Sequence, residues 1–224
     1  MKRTALIGVV AAALYVAHRI GRRSGATNEE VNAFVAGDDV VADPMWESTR
    51  AITIDATPDA VWPWVVQMGF PTHRAGWYTP PWLDRITFGI RASSSDEIRA
   101  DLQHLKPGER IPDSDDFSVY FTVVDVAPPS ALVLHSTRHV MKPIRTSDFS
   151  WAFILRNGEK DQTRLIIRAR VRYTPQWAAP FVEFVIGMGD YVNAEAMLHG
   201  IKTRAERARH GKKPGAFRPT RAAA

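Results

Sequence analysis

The sequence contains no cysteine, and this absence removes several classes of protein at once. Without cysteine the chain forms no disulfide scaffold, has no thiol nucleophile and offers zinc no thiolate ligand. The sequence also lacks a glycine-rich phosphate loop, an HExxH-type motif and a Ser-His-Asp signature. We therefore predict no cofactor and no metal site, and the sequence assigns no catalytic residue.

Charge of each sign is confined to particular parts of the 224 residues. Residues 1–23 contain five basic residues and no acid, and residues 201–224 contain eight basic residues against Glu206 alone. The overall charge of +5 therefore leaves residues 24–200 acidic, with a net charge of −7. Because this acidic part carries no recognised nucleic-acid motif, we expect no nucleic-acid partner.

Long hydrophobic runs are scarce, and the clearest is Ala5–Ala17, with basic residues on both sides. A membrane span needs about 20 residues, and a helix from Thr4 to Ile20 nearly suffices if Arg19 extends to the lipid surface. We predict that residues 1–23 are a membrane anchor, which would make the protein membrane-associated, on the cytoplasmic face, with its basic ends on anionic lipid. A cleaved signal peptide, and hence secretion, is the alternative.

The remainder divides into three predicted segments: a linker (24–44), a main domain (45–210) and a basic, disordered tail (211–224). The strongest pattern in the main domain lies in residues 148–156 and 163–173, where apolar and polar side chains alternate on either side of an Asn-Gly turn. This pattern predicts an antiparallel hairpin, with a helix covering its apolar side. That side carries Trp151, Phe153, Leu165 and Ile167.

Two helices are predicted in the main domain. Residues 57–68 begin with Thr57 as a possible cap and Pro58 at the first position, and Pro63 is expected to bend or restart the helix. The second helix is predicted from Asp190 to about His210, because apolar residues recur there at helical spacing.

Several blocks of this sequence resemble the START/polyketide-cyclase-like (SRPBCC) superfamily over about residues 38–209. They include "GDDVVADP", "STRAITIDATPDAVWPWVVQMG", "RAGWYTPPWLD" and "MLHGIKTRAER". The resemblance implies an α+β helix-grip fold, in which a curved antiparallel sheet wraps around a long C-terminal helix, here with an N-terminal apolar helix appended. It also implies a hydrophobic cavity between sheet and helix, but it does not specify a reaction.

The tryptophan-rich stretch around residues 77–82 is the candidate mouth of that cavity, since its aromatic residues lie among glycine and proline. The alternative is that these aromatics fill one end of the core. The candidate ligand-binding residues are Trp77, Tyr78, Trp82, Phe121, Trp151, Phe153, Leu165, Ile167 and Leu198. The predicted function is binding of a hydrophobic small molecule or lipid, and a cyclase- or aromatase-like enzyme is the alternative.

Other polar residues have simpler structural explanations. Glu195 and His199 have the spacing of a surface pair on one helix. Arg74 is favoured as an end-cap or surface contact rather than as a ligand contact. The arginines of residues 164–172 are expected to face solvent and to pair across the hairpin with Asp148, Glu159 or Asp161. An enzyme would instead require an acid/base group in the pocket, and the candidates for it are Glu195, His199, Tyr120 and Arg138.

Overall fold

A computed structural model describes residues 21–209 of the chain. Its six strands are β1 Trp46–Ile54, β2 Arg110–Pro112, β3 Tyr120–Ala127, β4 Ala131–Ser136, β5 Thr146–Asn157 and β6 Thr163–Thr174. Its α-helices are α1 Asn28–Asn32, α2 Pro58–Val66, α3 Pro81–Phe88, α4 Ala179–Phe181 and α5 Gly187–Arg209. The strands form one antiparallel sheet in the order β1-β6-β5-β4-β3-β2.

The β5–β6 hairpin confirms the alternation read from the sequence. Trp151 lies opposite Ala169, and Phe153 lies opposite Ile167. Phe153 and Ile167 belong to the main core, and Trp151 packs against it, on the sheet face that contacts α2 and α5. We call this the concave face and the opposite one the outer face.

Helix α2 is apolar on nearly all sides because it is covered on more than one side. Thr57 stands at its N-cap and Pro58 at its first position, as predicted, although the Thr57 side chain makes no capping hydrogen bond. Pro63 is accommodated inside the helix, which ends at Val66. The buried side chains are Val61, Trp62, Trp64, Val65 and Val66.

The long helix α5 begins at Gly187, directly after a π-helical turn, Val182–Ile186. The helix therefore begins before Asp190, the predicted first residue. Asp190 lies in the first turn, and one of its carboxylate oxygens is 2.7 Å from Nη1 of Arg50, a residue of β1 that is only 1% exposed. Farther along, α5 buries Ala194, Met197, Leu198, Ile201 and Ala205.

Residues 24–44, predicted as a linker, lie on the outer face of the sheet. Helix α1 begins with a capping box, in which Thr27 and Glu30 satisfy each other's backbone N–H groups. Val35 then packs in an apolar cluster with Val133 and Ile166. The predicted boundaries of the four segments stay predictions, but this stretch covers the outer face.

The arginines of β6 hold that covering segment in place. Arg168 is 3% exposed, and its Nη1 is 2.6 Å from the carboxylate of Asp38. Arg164 donates from Nε to the carboxylate of Glu30 at 2.7 Å. The prediction of a solvated stripe paired across the hairpin is therefore wrong. The acidic partners belong to β1 and to residues 24–44, rather than being Asp148, Glu159 or Asp161.

The membrane prediction also requires correction. Within residues 21–209, no helix is both long enough and apolar enough to cross a bilayer. This finding contradicts the predicted membrane-associated localisation, and it gives no support to the predicted membrane contact. Most of the proposed anchor, residues 1–20, and the tail, residues 211–224, lie outside the described residues.

Candidate functional site

Six aromatic rings form a continuous cluster on the concave face. We call this the aromatic cluster, and its members are Trp77, Phe121, His139, Phe149, Trp151 and Phe153. Trp151 is its centre, with ring centroids 5.4 Å from Trp77, 5.6 Å from Phe121 and 4.9 Å from Phe153. Alternation along β5 places three of the rings on one face, and β3 contributes Phe121. Trp77 comes from the loop between α2 and α3.

The central side chain of the cluster, Trp151, is only partly buried. It lies on β5, the third of six strands, on the face turned toward α5. Its neighbour on β6 is Ala169, which in turn pairs with Ser48 on β1. Both neighbours are small and buried, with Ala169 2% and Ser48 3% exposed, so the surface on this side of Trp151 is covered by other groups. Phe149 and Val171, the next pair along the hairpin, are also partly exposed.

Most of the predicted ligand-binding residues meet in this core. Trp77 is 9% exposed and contacts the cluster directly. Trp82, in contrast, is 63% exposed on α3 and is not part of the cluster. The remaining predicted residues are buried in the same core: Tyr78, Phe121, Phe153, Leu165, Ile167 and Leu198.

Tyr78 is held in place inside the core and does not form a mobile edge of the site. Its φ of 61° is positive, and its hydroxyl donates to the Trp64 carbonyl at 2.9 Å while accepting from Nε2 of Gln67 at 2.8 Å. The guanidinium of Arg204 lies 4.7 Å from the ring centroid. Burial raises the pKa of Tyr78 well above its ordinary value, so the phenol stays neutral.

Arg74 has the end-cap role that the sequence favoured. Its Nε donates to the carbonyl of Met68 at 2.5 Å, and its Nη2 donates to the carbonyl of Val66 at 2.7 Å. These carbonyls belong to the end of α2, where helical partners run out. Burial lowers the pKa of Arg74. Its two hydrogen bonds to backbone carbonyls make it a cap for the end of α2.

A hydrogen-bonded chain of Asp113, His139 and Ser136 borders the cluster, although the sequence shows no such signature. His139 Nε2 is 3.0 Å from Asp113 Oδ2, and Nδ1 is 2.8 Å from Ser136 Oγ. The imidazole also lies 4.3 Å from the Phe121 ring, measured between centroids. Ser136 Oγ further donates to the carbonyl of Tyr120 and accepts from the backbone N–H of Arg138. Because the Ser136 hydroxyl already has three hydrogen-bond partners, it cannot form a further hydrogen bond with a ligand.

The sequence missed His139 and Phe149 as members of the site. Phe149 shares the alternation of β5 and was recognisable from it. β4 ends at Ser136, so the alternation of this strand places His135 but does not extend to His139. His135 therefore lies on the outer face, with Nε2 2.6 Å from Asp148, whereas His139 turns back over the concave face.

Glu195 and His199 form the exposed pair on α5 that their spacing favoured. Nδ1 of His199 lies 2.9 Å from the carbonyl of Glu195 and 4.0 Å from its carboxylate. Across residues 21–209, no group of three or more histidine, aspartate or glutamate side chains is arranged to hold a metal ion.

A separate depression of about 180 Å³ lies by the β1 edge of the sheet. It is lined by Arg22, Arg23, Val31, Asn32, Glu47 and Thr49. Five of its six lining residues are polar or charged. Two of the charged groups are already paired, Arg22 with Glu183 and Glu47 with Arg170. Its chemistry therefore differs from that of a site for an apolar ligand, which the aromatic cluster fits better.

Comparison with known proteins yields matches to solved structures only, because no family model and no curated protein matches the chain. A hypothetical protein from Helicobacter pylori is 12% identical, with a TM-score of 0.51, covering 78% of this chain and 96% of that one. A START superfamily protein from Mycobacterium smegmatis is 12% identical, with a TM-score of 0.43, covering 70% and 97%. The di-domain ARO/CYC BexL is 17% identical, with a TM-score of 0.46, covering 74% and 48%.

The chain thus spans about half the length of BexL. At these identities the likeness concerns the fold alone, and the Helicobacter match, with its TM-score of 0.51, supports it. Together with the antiparallel sheet packed against a long C-terminal helix, it confirms the architecture that the sequence resemblance implied. The chain therefore adopts the helix-grip fold.

Proposed function

We propose that this protein binds a hydrophobic small molecule on the aromatic cluster, between the sheet and α5. The observation that carries the proposal is the partial exposure of Trp151 at the centre of the concave face. Tryptophan is rarely buried completely, but the exposed part of this indole is apolar surface that a ligand on the concave face would cover. Ligand pockets combine such apolar and aromatic linings with a few polar groups, and the same combination is found here.

The energetics of such a site depend on apolar area. Trp151 and Phe149 are the partly exposed apolar rings of the cluster and offer their surface to a ligand. Each methylene equivalent that becomes buried there contributes about 0.8 kcal/mol. Flat ligands gain further from offset or edge-to-face ring contacts. An anion is disfavoured, because His139 and Arg50 already pair with Asp113 and Asp190.

The alternative, a cyclase- or aromatase-like enzyme, has weaker support. Tyr120 and Arg138 lie on the outer side, where the Arg138 guanidinium is 5.5 Å from the Tyr120 ring centroid. His199 is exposed on α5 and Glu195 is its partner. His139 does border the cluster, but partners already occupy both of its ring nitrogens. Proton transfer to a ligand would first have to break one of these bonds.

The test is a titration with the apolar fluorescent probe N-phenylnaphthylamine. The wild-type protein should enhance the probe's emission saturably, and Trp151→Ala should weaken binding by about 1–3 kcal/mol because it removes the central ring surface. Trp82→Ala is the matched control, since Trp82 is exposed and lies outside the cluster. Absence of saturable binding to the wild type, or an equal loss in both variants, would contradict the proposal.

A further inference from the structure

Three apolar side chains are exposed along the π-helical turn and the first turns of α5. Val185, Met188 and Val192 are 55%, 39% and 41% exposed, and we call them the apolar stripe. They lie three and four positions apart, so they share one side of the helix, opposite the side that buries Ala194 and Ile201. A helix that is apolar on two opposite sides is normally covered on both, so the stripe indicates a further packing partner.

Residue 21, the first that the structure describes, lies beside this stripe. A β-carbon at Gly21 would lie only 3.1 Å from Cγ of Tyr191, which directly precedes the last member of the stripe. The next residue, Arg22, pairs with Glu183 on the π-helical turn at 3.1 Å. The start of the described chain is therefore fixed against the same helical segment as the stripe.

The residues before Gly21 include the apolar run Ala5–Ala17. Residues 18–20 separate the run from Gly21, and this connection spans at most about 14 Å. As a helix the run would be about 20 Å long, and the stripe, which the partly buried Ala196 extends, covers about 16 Å. A connection this short presents the run to the stripe at an effective concentration on the order of millimolar, which favours the run over a second copy of the chain.

We infer that residues 5–17 form a helix that packs against the apolar stripe of the same chain. The contact buries two apolar surfaces together, one on the described helix and one in the N-terminal sequence. On the inner side of the same segment, Val182 lies in an apolar cluster against which Phe149, Trp151 and Ile186 pack. The N-terminal residues thus cover the outer side of a helical segment whose inner side borders the aromatic cluster. This contact does not depend on the proposed ligand.

Spin labels measure the contact in the full-length chain. Because the sequence contains no cysteine, Ala11→Cys combined with Gly189→Cys confines the labels to the middle of the run and the edge of the stripe. A β-carbon at position 189 meets no atom within 4 Å, so a label is accommodated there. Packed helices lie about 8–10 Å apart, so pulsed electron paramagnetic resonance should give one narrow distance of about 10–25 Å.

Two valines of equal exposure show whether the stripe causes that distance. Val192→Lys should broaden the distance distribution, because it removes apolar area from the contact and places a charge there. Val124 on β3 is also 41% exposed, and Val124→Lys is the matched control that should leave the distribution narrow. A broad distribution without either substitution, or one that Val192→Lys leaves unchanged, overturns the inference. So does a distance that is lost on dilution with excess unlabelled protein, because a second copy would then cover the stripe.

Proteolysis of the unlabelled protein gives a second readout. Chymotrypsin cleaves after Tyr15, inside the run, when the run leaves the stripe, so the cleavage rate follows the released fraction. Val192→Lys should accelerate this cleavage about 5- to 100-fold, and Val124→Lys should change it by less than about twofold. Equal cleavage rates in the two variants, with circular dichroism showing that both are folded, would also overturn the inference.

Discussion

Gly200 on α5 lies directly against the backbone carbonyl of Tyr78, so that a β-carbon at position 200 would overlap the carbonyl oxygen. Tyr78 itself has a positive φ and its hydroxyl bonds to the Trp64 carbonyl on α2. One glycine therefore lets the long helix, the loop after α2 and α2 itself approach closely. This contact closes one end of the core beside the aromatic cluster.

Substitution of Gly200 by alanine should destabilise the protein by about 1–3 kcal/mol, because the overlap with a backbone atom forces the helix or the loop to move. Gly189→Ala is the matched control on the same helix, since its β-carbon would meet no atom within 4 Å. That variant should be stabilised by about 0.5–1 kcal/mol through helix propensity. Urea denaturation of the two variants measures both changes, and a stabilised Gly200→Ala would refute the close contact.

Tyr78→Phe should lower the free energy of unfolding by about 1–3 kcal/mol, because the Trp64 carbonyl and the Gln67 amide lose a buried partner. Tyr120→Phe is the control and should change it by less than about 0.5 kcal/mol, since Tyr120 is only partly buried. Denaturant midpoints distinguish the two variants.

The same tyrosine gives a prediction for alkaline pH. The pKa of Tyr78 is raised from its ordinary 10.0 by burial. Its neutral form is therefore stabilised in the folded protein, and that stability is present below about pH 10 and is lost as pH rises above it. In a titration followed by phenolate absorbance, one tyrosine of the wild type should ionise only with unfolding. This delayed step should be absent from Tyr78→Phe.

The sequence predicted those features whose interacting residues lie close together along the chain. The β5–β6 hairpin was readable because its alternation reflects a single covered face, and Trp151, Phe153, Leu165 and Ile167 all lie there. The alternation gives no information past Ser136, where the strand ends, and so the sequence did not identify His139 as a member of the site. A periodic pattern describes only the residues inside its element.

Long-range contacts explain most of the remaining errors. Arg168 has the spacing of a solvated strand residue, but Asp38, which is 130 residues away, pairs with it. Trp77 and Trp82 stand five positions apart in one stretch, yet only Trp77 is buried. Gly76, with a φ of 84° and in direct contact with Ser94, turns the chain inward just before Trp77. No local pattern shows that contact.

Glu30→Gln should reduce stability near neutral pH by about 1–2 kcal/mol. Glutamine keeps the capping box of α1 but loses the ion pair with Arg164. The hydrogen bond from Arg164 holds the pKa of Glu30 below its ordinary 4.5. The contribution of the carboxylate is therefore present above about pH 4.5 and is lost as pH falls through the lowered pKa.

The difference between wild type and Glu30→Gln should accordingly vanish in acid. Stability is measured by urea denaturation over a series of pH values. Glu29→Gln, on the exposed side of the same helix, is the control and should show little difference at any pH. If the stability difference between wild type and Glu30→Gln were the same at every pH, the ion pair would not be the cause of that difference.

The two tryptophans of residues 64 and 82 provide a direct test of which part of the aromatic stretch belongs to the core. Trp64 is 3% exposed on α2, and Trp82 is 63% exposed on α3. Trp64→Ala should cost about 3–5 kcal/mol, because it opens a cavity between the sheet and α5. Trp82→Ala should stay within about 0.5 kcal/mol of the wild type, since water already surrounds most of the indole. Thermal and urea denaturation measure the two changes, with circular dichroism to verify that each variant folds. Equal destabilisation by both substitutions would mean that α3 packs against the core through Trp82, contrary to its exposure here.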